Sequence, residues 1–419
     1  MATTAPDRIL TLDVIRGVAV MGIFSVNVVA FAMIEAAYFY PPAFGFHSVW
    51  DKLVWLGNFI FIDGKMRSLF SMLFGASALL VIERAERSGR SPAVVHYGRM
   101  LSLLVFGLIH FYLLWWGDIL ALYALVGMVA YAFRKLETDK LLAIALIGFA
   151  ISFAASLDRA IGVEHAIEVH SQGAASSEEM RQADTVYRHF HPSAAEIRED
   201  AEVHRSFRAY LAQSMGPQLW RPWTEFRSLL AETLALMLLG MAGLRSGFLT
   251  GEWSDDSYGR VAQVTLSIGI GASAIMAAVV WLEGFRLPFG ANAMLTYSAP
   301  LRPVMAIGFA ALIIRLSRRV GPVTQRIAAA GRCAFTNYLG TSIVAGLVFN
   351  GWGLGLYGKV SRADAWLLVP IVWALMLLWS KPWLERFNYG PFEWAWRSLS
   401  RGKLQPMRKR APAAAIAAA

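Results

Sequence analysis

Apolar runs of about 20 residues, the length at which a helix crosses the hydrocarbon core of a bilayer, recur along most of this chain. Ten can be read, at 13–34, 53–82, 99–116, 118–134, 140–157, 225–247, 260–282, 290–316, 328–350 and 365–384. Hydrophobic residues make up 57% of the 419 and charged residues only 16%, too few to keep such a surface in water. The expected fold class is therefore all-α, a polytopic integral membrane bundle of about ten transmembrane helices. The opening MATTAPDRILTLDVIRG has no small-residue cleavage site, so its apolar run reads as a retained first helix. Cys333 is the only cysteine, which excludes an internal disulfide and a cysteine-built metal site.

An even number of spans puts both termini on one side. Connections after the second, fourth, sixth and eighth spans hold thirteen basic residues, from Arg84 to Arg326, against four (Lys52, Arg286, Lys359 and Arg362) in short connections opposite. By the positive-inside rule both termini are expected in the cytoplasm. The net charge of +10 is then explained by cytoplasmic loops facing anionic lipid, and no nucleic-acid partner is expected. Four parts follow: a membrane block at 1–157, an external connection with helices at 158–224, a second membrane block at 225–400, and a basic, Ala-rich tail at 401–419. In the connection, Ile197, Val203, Phe207, Tyr210 and Leu211 form an expected apolar stripe. His189 and His191, at i and i+2, point apart on a helix, and no metal site is expected. The closing APAAAIAAA has nothing to pack with and is expected to be mobile or a weak helix.

Ionisable residues inside apolar spans are costly, so they face protein and mark a site or a pathway. Arg99 to Tyr123 places His110 and then Asp118 in such sequence, where a buried histidine bonded to a backbone carbonyl as packing between helices is the alternative to a site. His110 rises about 16 Å from Arg99, Asn27 about 21 Å from Asp13, and Asn337 about 13 Å from Ala328. From the other side, Asp63 and Glu232 descend about 15 Å and 10 Å. All five are expected in one slab between the midplane and the outer surface. Asp63, Lys65 and Arg67 stand within five residues around Gly64, which reads as a broken or re-entrant helix lining a wet cavity, or as an interfacial helix ending near Arg67. Pro300 and Pro303 kink the eighth span and leave Arg302 at the cavity or snorkelling.

The blocks LDVIRGVAVMGIFSVN, FIDGKMRSLFSMLFGAS, GLIHFYLLWWGDILALYALVG, GRCAFTNYLGTSI and GPFEWAWRSL resemble the YeiB-like bacterial membrane proteins, the family catalogued as domain of unknown function 418. That family is similar to transmembrane acyltransferases, which carry an acyl group from cytoplasmic acyl-CoA to an acceptor across the membrane. The resemblance implies a multi-pass protein of the bacterial cytoplasmic (inner) membrane. Its implied activity is transfer from acyl-CoA, with no tightly bound cofactor, to a small-molecule or glycan acceptor at the outer face. Membrane lipid is the other expected partner, and a homodimer is compatible with the sequence.

One position departs from the pattern. Similar O-acyltransferases carry an arginine in the first helix and a catalytic histidine eleven residues later. Here Arg16 is followed at that spacing by Asn27, which cannot act as a base. Either the chemistry has moved to another histidine, with His110 oriented by a carboxylate as the best replacement, or it is absent. Asp118 lies eight residues on, about 12 Å along one helix, so direct pairing requires a bend near Gly117. Asp63 or Glu232 from another span fits equally. Arg16, Lys65 or Arg67 is expected to draw the acyl-CoA phosphates or stabilise the oxyanion, and Asn27, Glu232, Arg302 and Asn337 complete the polar lining. The rivals are a transporter or lipid flippase using the same cavity, and a non-catalytic membrane partner protein.

Overall fold

The computed structural model describes residues 9–173 and 176–409. The chain runs α1 (Leu10–Ala32), α2 (Glu35–Phe39), α3 (Val49–Gly57), α4 (Lys65–Arg87), α5 (Pro92–Leu113), α6 (Leu120–Ala130), α7 (Thr138–Gln172), α8 (Ser177–Phe190), α9 (Ala194–Arg205) and α10 (Phe207–Met215). It continues through α11 (Arg221–Arg245), α12 (Asp255–Leu282), α13 (Phe289–Asn292), α14 (Leu301–Ser317), α15 (Pro322–Arg332), α16 (Ala334–Phe349), α17 (Arg362–Trp366), α18 (Leu368–Arg386) and α19 (Pro391–Ser400). Among the described residues the only strand-like pairing is an isolated bridge between Phe387 and Arg408.

Seven helical segments are long and apolar enough to cross a membrane: α1, Val49–Arg87, α5, α7, α11, α12 and Arg362–Arg386. Phe289–Tyr297 and α14 qualify together but bend by 56° at the Pro300 break. Leu120–Phe133 and α16 are apolar but shorter. The segments fall into two kinds. In α1, 78% of the apolar window is buried, whereas in α7 the share is 17% and in α12 it is 22%. The outer helices expose Leu146, Ile147 and Ile151, and Val264, Ile268 and Ile275. Apolar rows of that length need lipid as their solvent, and α1 forms the axis they surround.

Several expected boundaries move. The third span ends at Leu113 instead of 116, because the chain turns at Leu114 to Ile119 before α6. The fifth does not stop at 157: α7 continues as one helix of 35 residues to Gln172, where Gly173 adopts φ 66° and ends it. The ninth begins at Pro322 and is interrupted at Cys333. The stripe expected from Ile197 to Leu211 is also broken. Ser206 caps a new helix by accepting the Ala209 N–H, which leaves Phe207 exposed and buries Tyr210. The last ten residues, with the Ala-rich end, lie outside the described range.

At the end of the bundle where α1 finishes, α8 to α10 form a cap. The Tyr357 hydroxyl donates to Asp200 and its ring stacks on His204 at 3.7 Å. Burial raises the Asp200 carboxyl and lowers the His204 imidazole from their ordinary values. Below the cap, Arg221 makes two 2.7 Å bonds to Glu35 and a 2.8 Å bond to Glu225, with its guanidinium 4.4 Å from the Trp116 ring.

Candidate functional site

His110 stands in the last turn of α5, its carbonyl accepting the N–H groups of both Leu114 and Trp115 at 2.9 Å. The chain then reverses through Gly117, so Asp118 returns beside the ring instead of lying two turns beyond it. Asp118 Oδ1 stands 2.7 Å from His110 Nδ1, while Oδ2 accepts the Ala121 N–H at 2.7 Å and caps α6. The close approach depends on Gly107, where a Cβ would lie 2.3 Å from the Ala121 nitrogen.

The other face of the ring meets α16. His110 Nε2 lies 2.8 Å from Ser342 Oγ, whose alternative bond to the Tyr338 carbonyl is longer at 3.4 Å. A carboxylate can only accept, so Nδ1 carries the hydrogen and Nε2 is left to accept the serine proton. His110, Asp118 and Ser342 are 1%, 5% and 2% exposed, so the relay is dry. Tyr338 and Trp115 flank the ring at centroid distances of 5.3 and 6.4 Å. Trp115 stacks on Phe31, and its Nε1, though buried, has no acceptor among the described residues. A hydroxyl, an imidazole and a carboxylate stand here in series, an arrangement that can activate a hydroxyl.

Asp63 and Glu232 do not serve His110, contrary to the expectation that either could. They belong to a second cluster, built where two helices break. After α3 the backbone makes a π turn over Asn58–Ile62, and Gly64 turns at φ 68° before α4 begins. Arg302, one residue into α14, packs against Gly64 and donates to the Met294 carbonyl at 2.6 Å, an oxygen near the bend at Pro300. Glu232 then joins the breaks, 2.7 Å from Arg67 and 3.6 Å from Arg302. Lys65 is fully buried, its ammonium on the Phe59 carbonyl. All three charges of the Asp63 to Arg67 segment therefore lie within the bundle, and no interfacial helix forms there. Arg67 Nη1 and Arg302 Nε find no acceptor among the described residues. The neighbouring cavity, lined by Tyr38, Asn58, Asp63 and Arg362, is small at about 20 Å³, room for about one water. Tyr123 links the clusters: its hydroxyl is 2.6 Å from Ser71 on α4, and it lies in the first turn of the helix that Asp118 caps.

The expected single slab thus divides. Depth along a helix says nothing about which face a residue occupies. Asn337 leaves the site altogether, donating to the Ala330 carbonyl at 2.9 Å and accepting from Trp379 at 2.9 Å, which joins α16 to α18. Arg16 lies nearer the start of α1, on Ser77 at 2.7 Å and Asp13 at 3.3 Å. Asn27 is half-buried one turn before Phe31, the residue that stacks on Trp115. Sequence reasoning missed Ser342, Tyr338 and Trp115. The only signal for the first two was their spacing of four in FTNYLGTS, which puts both hydroxyls on one helix face. Among the described residues no group of three or more His, Cys, Asp and Glu is placed to hold a metal. A groove of about 1160 Å³, lined by Arg260, Leu266, Ile270, Leu312 and Arg315, opens between α12 and α14, apart from both clusters.

Residues 243–403 match the family described as Protein of unknown function (DUF418), and relatives extend the likeness over nearly the whole chain. The Bacillus subtilis (strain 168) protein YxaH is 34% identical, covering 97% of this chain and 98% of its own length. The chain belongs to the YeiB-like DUF418 family. YeiB of Escherichia coli (strain K12) is 30% identical over 94% of this chain and 96% of its own length. A 39.9 kDa protein in the amylase 3' region of Bacillus acidopullulyticus is 23% identical, with 96% of each covered. No solved structure matches. The family match contains Ser342, Arg302 and Asn337, whereas His110 and Asp118 lie outside it, in sequence that the longer alignments to YxaH and YeiB cover.

Proposed function

We propose that this DUF418 protein is a membrane-embedded acyltransferase that moves an acyl group from cytoplasmic acyl-CoA to a hydroxyl or amine acceptor at the outer face of the bacterial inner membrane. The observation that carries it is the hydrogen bond that His110 Nδ1 donates to Asp118, which orients the imidazole and leaves Nε2 as the basic nitrogen. The proposed arrangement has ten crossings, with α6 and α15–α16 completing the seven long segments and the bent pair, and with both termini in the cytoplasm. The basic residues favour that orientation. On the same side Arg99 stacks on Trp396 at 4.2 Å, with Arg16, Arg397 and Arg401 near enough to repel it. These cations suit the phosphates of CoA. His110 is eleven residues above Arg99, about 16 Å, a gap that a pantetheine arm can bridge. No resident cofactor is needed for this chemistry. The acceptor is a small molecule or glycan, and lipid surrounds the bundle.

The test is transfer from labelled acetyl-CoA by purified protein in nanodiscs. His110→Gln is expected to lower the rate by about 10²- to 10⁴-fold with the fold retained. Unchanged activity per folded molecule would reduce His110 to a packing residue. For orientation, cysteines at Ser88 and Ser176 in a Cys333→Ser background are expected to differ, only position 176 reacting with an impermeant reagent in intact cells.

A second reading, a transporter or lipid flippase, draws on the Arg67, Glu232 and Arg302 cluster. Two interrupted helices meet there, three cations face two carboxylates, and two buried guanidinium nitrogens lack acceptors among the described residues, which favours an anionic cargo. Uptake of labelled substrate without acyl transfer would select it.

A further inference from the structure

We propose that Ser342 is the acyl carrier of this transferase, receiving the acyl group on Oγ from acyl-CoA and passing it to the acceptor in a second step; this rests on the acyl-transfer reading. Three observations point to it. The serine hydroxyl is the group that His110 Nε2 contacts, at 2.8 Å, with Asp118 holding the opposite nitrogen at 2.7 Å. A base so placed removes the proton of that hydroxyl before any other. Trp115, whose ring centroid lies 6.4 Å from that of His110, has a buried Nε1 with no acceptor among the described residues, a donor free to meet an oxyanion formed nearby. The enclosure is also tight. With the ring 1% and the serine 2% exposed, the packing must open to admit any substrate, and one-step transfer requires room for donor and acceptor together at Nε2. A carrier removes that requirement, because the thiol departs before the acceptor enters.

The first step forms the bond from Ser342 Oγ to the thioester carbonyl carbon and passes the hydroxyl proton to His110 Nε2. The carbon–sulfur bond then breaks, and the leaving sulfur takes that proton and departs as free CoA thiol. In the second step Nε2 takes a proton from the acceptor hydroxyl or amine, whose oxygen or nitrogen attacks the serine ester. Ser342 Oγ leaves and recovers the proton. The net change is thioester plus acceptor to ester or amide plus thiol, with no oxidant or reductant.

A carrier has a signature that needs no acceptor: exchange of labelled CoA into acetyl-CoA or palmitoyl-CoA. Full-length protein in nanodiscs is expected to catalyse this exchange and to hold acyl label on the peptide containing Ser342, read by mass spectrometry. Ser342→Ala should lose both label and exchange by about 10²-fold or more while melting like the parent. Ser342→Cys should hold the label as a thioester, released by neutral hydroxylamine, where the serine ester resists. If the parent transfers label to an added membrane extract but shows neither exchange nor acyl-serine, the carrier is wrong and one-step transfer by His110 stands. If the parent neither transfers, exchanges nor acquires label from either donor, the acyltransferase reading falls with it.

Discussion

Asp118→Asn separates the two jobs of one carboxylate and tests His110 as the reacting base. Oδ1 holds His110 Nδ1 at 2.7 Å, and Oδ2 accepts the Ala121 N–H at 2.7 Å. Asparagine has nearly the same volume, with one acceptor oxygen and one donor nitrogen. Its oxygen stays on Ala121, since only an acceptor satisfies that N–H, and its nitrogen then faces Nδ1. The imidazole must switch tautomer, placing its hydrogen on Nε2, which becomes a donor toward Ser342 and ceases to be a base. Transfer is expected to fall by about 10²- to 10⁴-fold. Stability should change far less, by about 1 kcal/mol, because one buried hydrogen bond replaces another. Asp118→Ala should lose about 1 kcal/mol more, the worth of the cap on α6. Rates of acyl transfer per folded molecule, with thermal melts of both variants in nanodiscs, supply the numbers. Asp118→Asn retaining activity within about threefold of the parent would refute the base assignment, since a wrong tautomer cannot take the proton.

Three further outcomes are expected. Glu232→Gln should destabilise the bundle by about 3 kcal/mol, the lower end for a broken buried ion pair because the Arg67 side chain is 22% exposed; adding Arg302→Met should recover part of the lost melting temperature. Gly107→Ala should lower both stability, by about 1–3 kcal/mol, and transfer, because its Cβ meets backbone that cannot yield without parting His110 from Asp118. The cap should loosen in mild acid. Burial holds His191 below its ordinary value of 6.5, so its contribution is complete above that pH and is lost as pH falls through it toward the lowered value, when the unfolded chain binds the proton first. Faster proteolysis of the α8 to α10 region at pH 5 than at pH 7.5 would show it, and His191→Phe should remove part of the difference, with His204, lowered by burial as well, acting in the same direction.

The sequence by itself determined the class of molecule and the order of its helices, because apolar length is a property of segments that each answer to the bilayer alone. It also singled out His110, the one histidine of eight in the middle of an apolar span, and marked Gly117 as the place where a turn was needed. Helix ends were less legible: Asp158 and Arg159 mark where the apolar run stops but not where the helix does, and α7 continues past them to Gln172. Tertiary structure alone decided the partners. Depth along each helix put His110, Asp63, Glu232 and Asn337 in a common layer, but rotation about each helix axis, set by which faces pack, sent them to three different neighbourhoods. Ser342 became visible only then. A serine in an apolar helix has no distinguishing pattern of its own, and its meaning comes from the imidazole that α5 brings to it across 232 residues of chain.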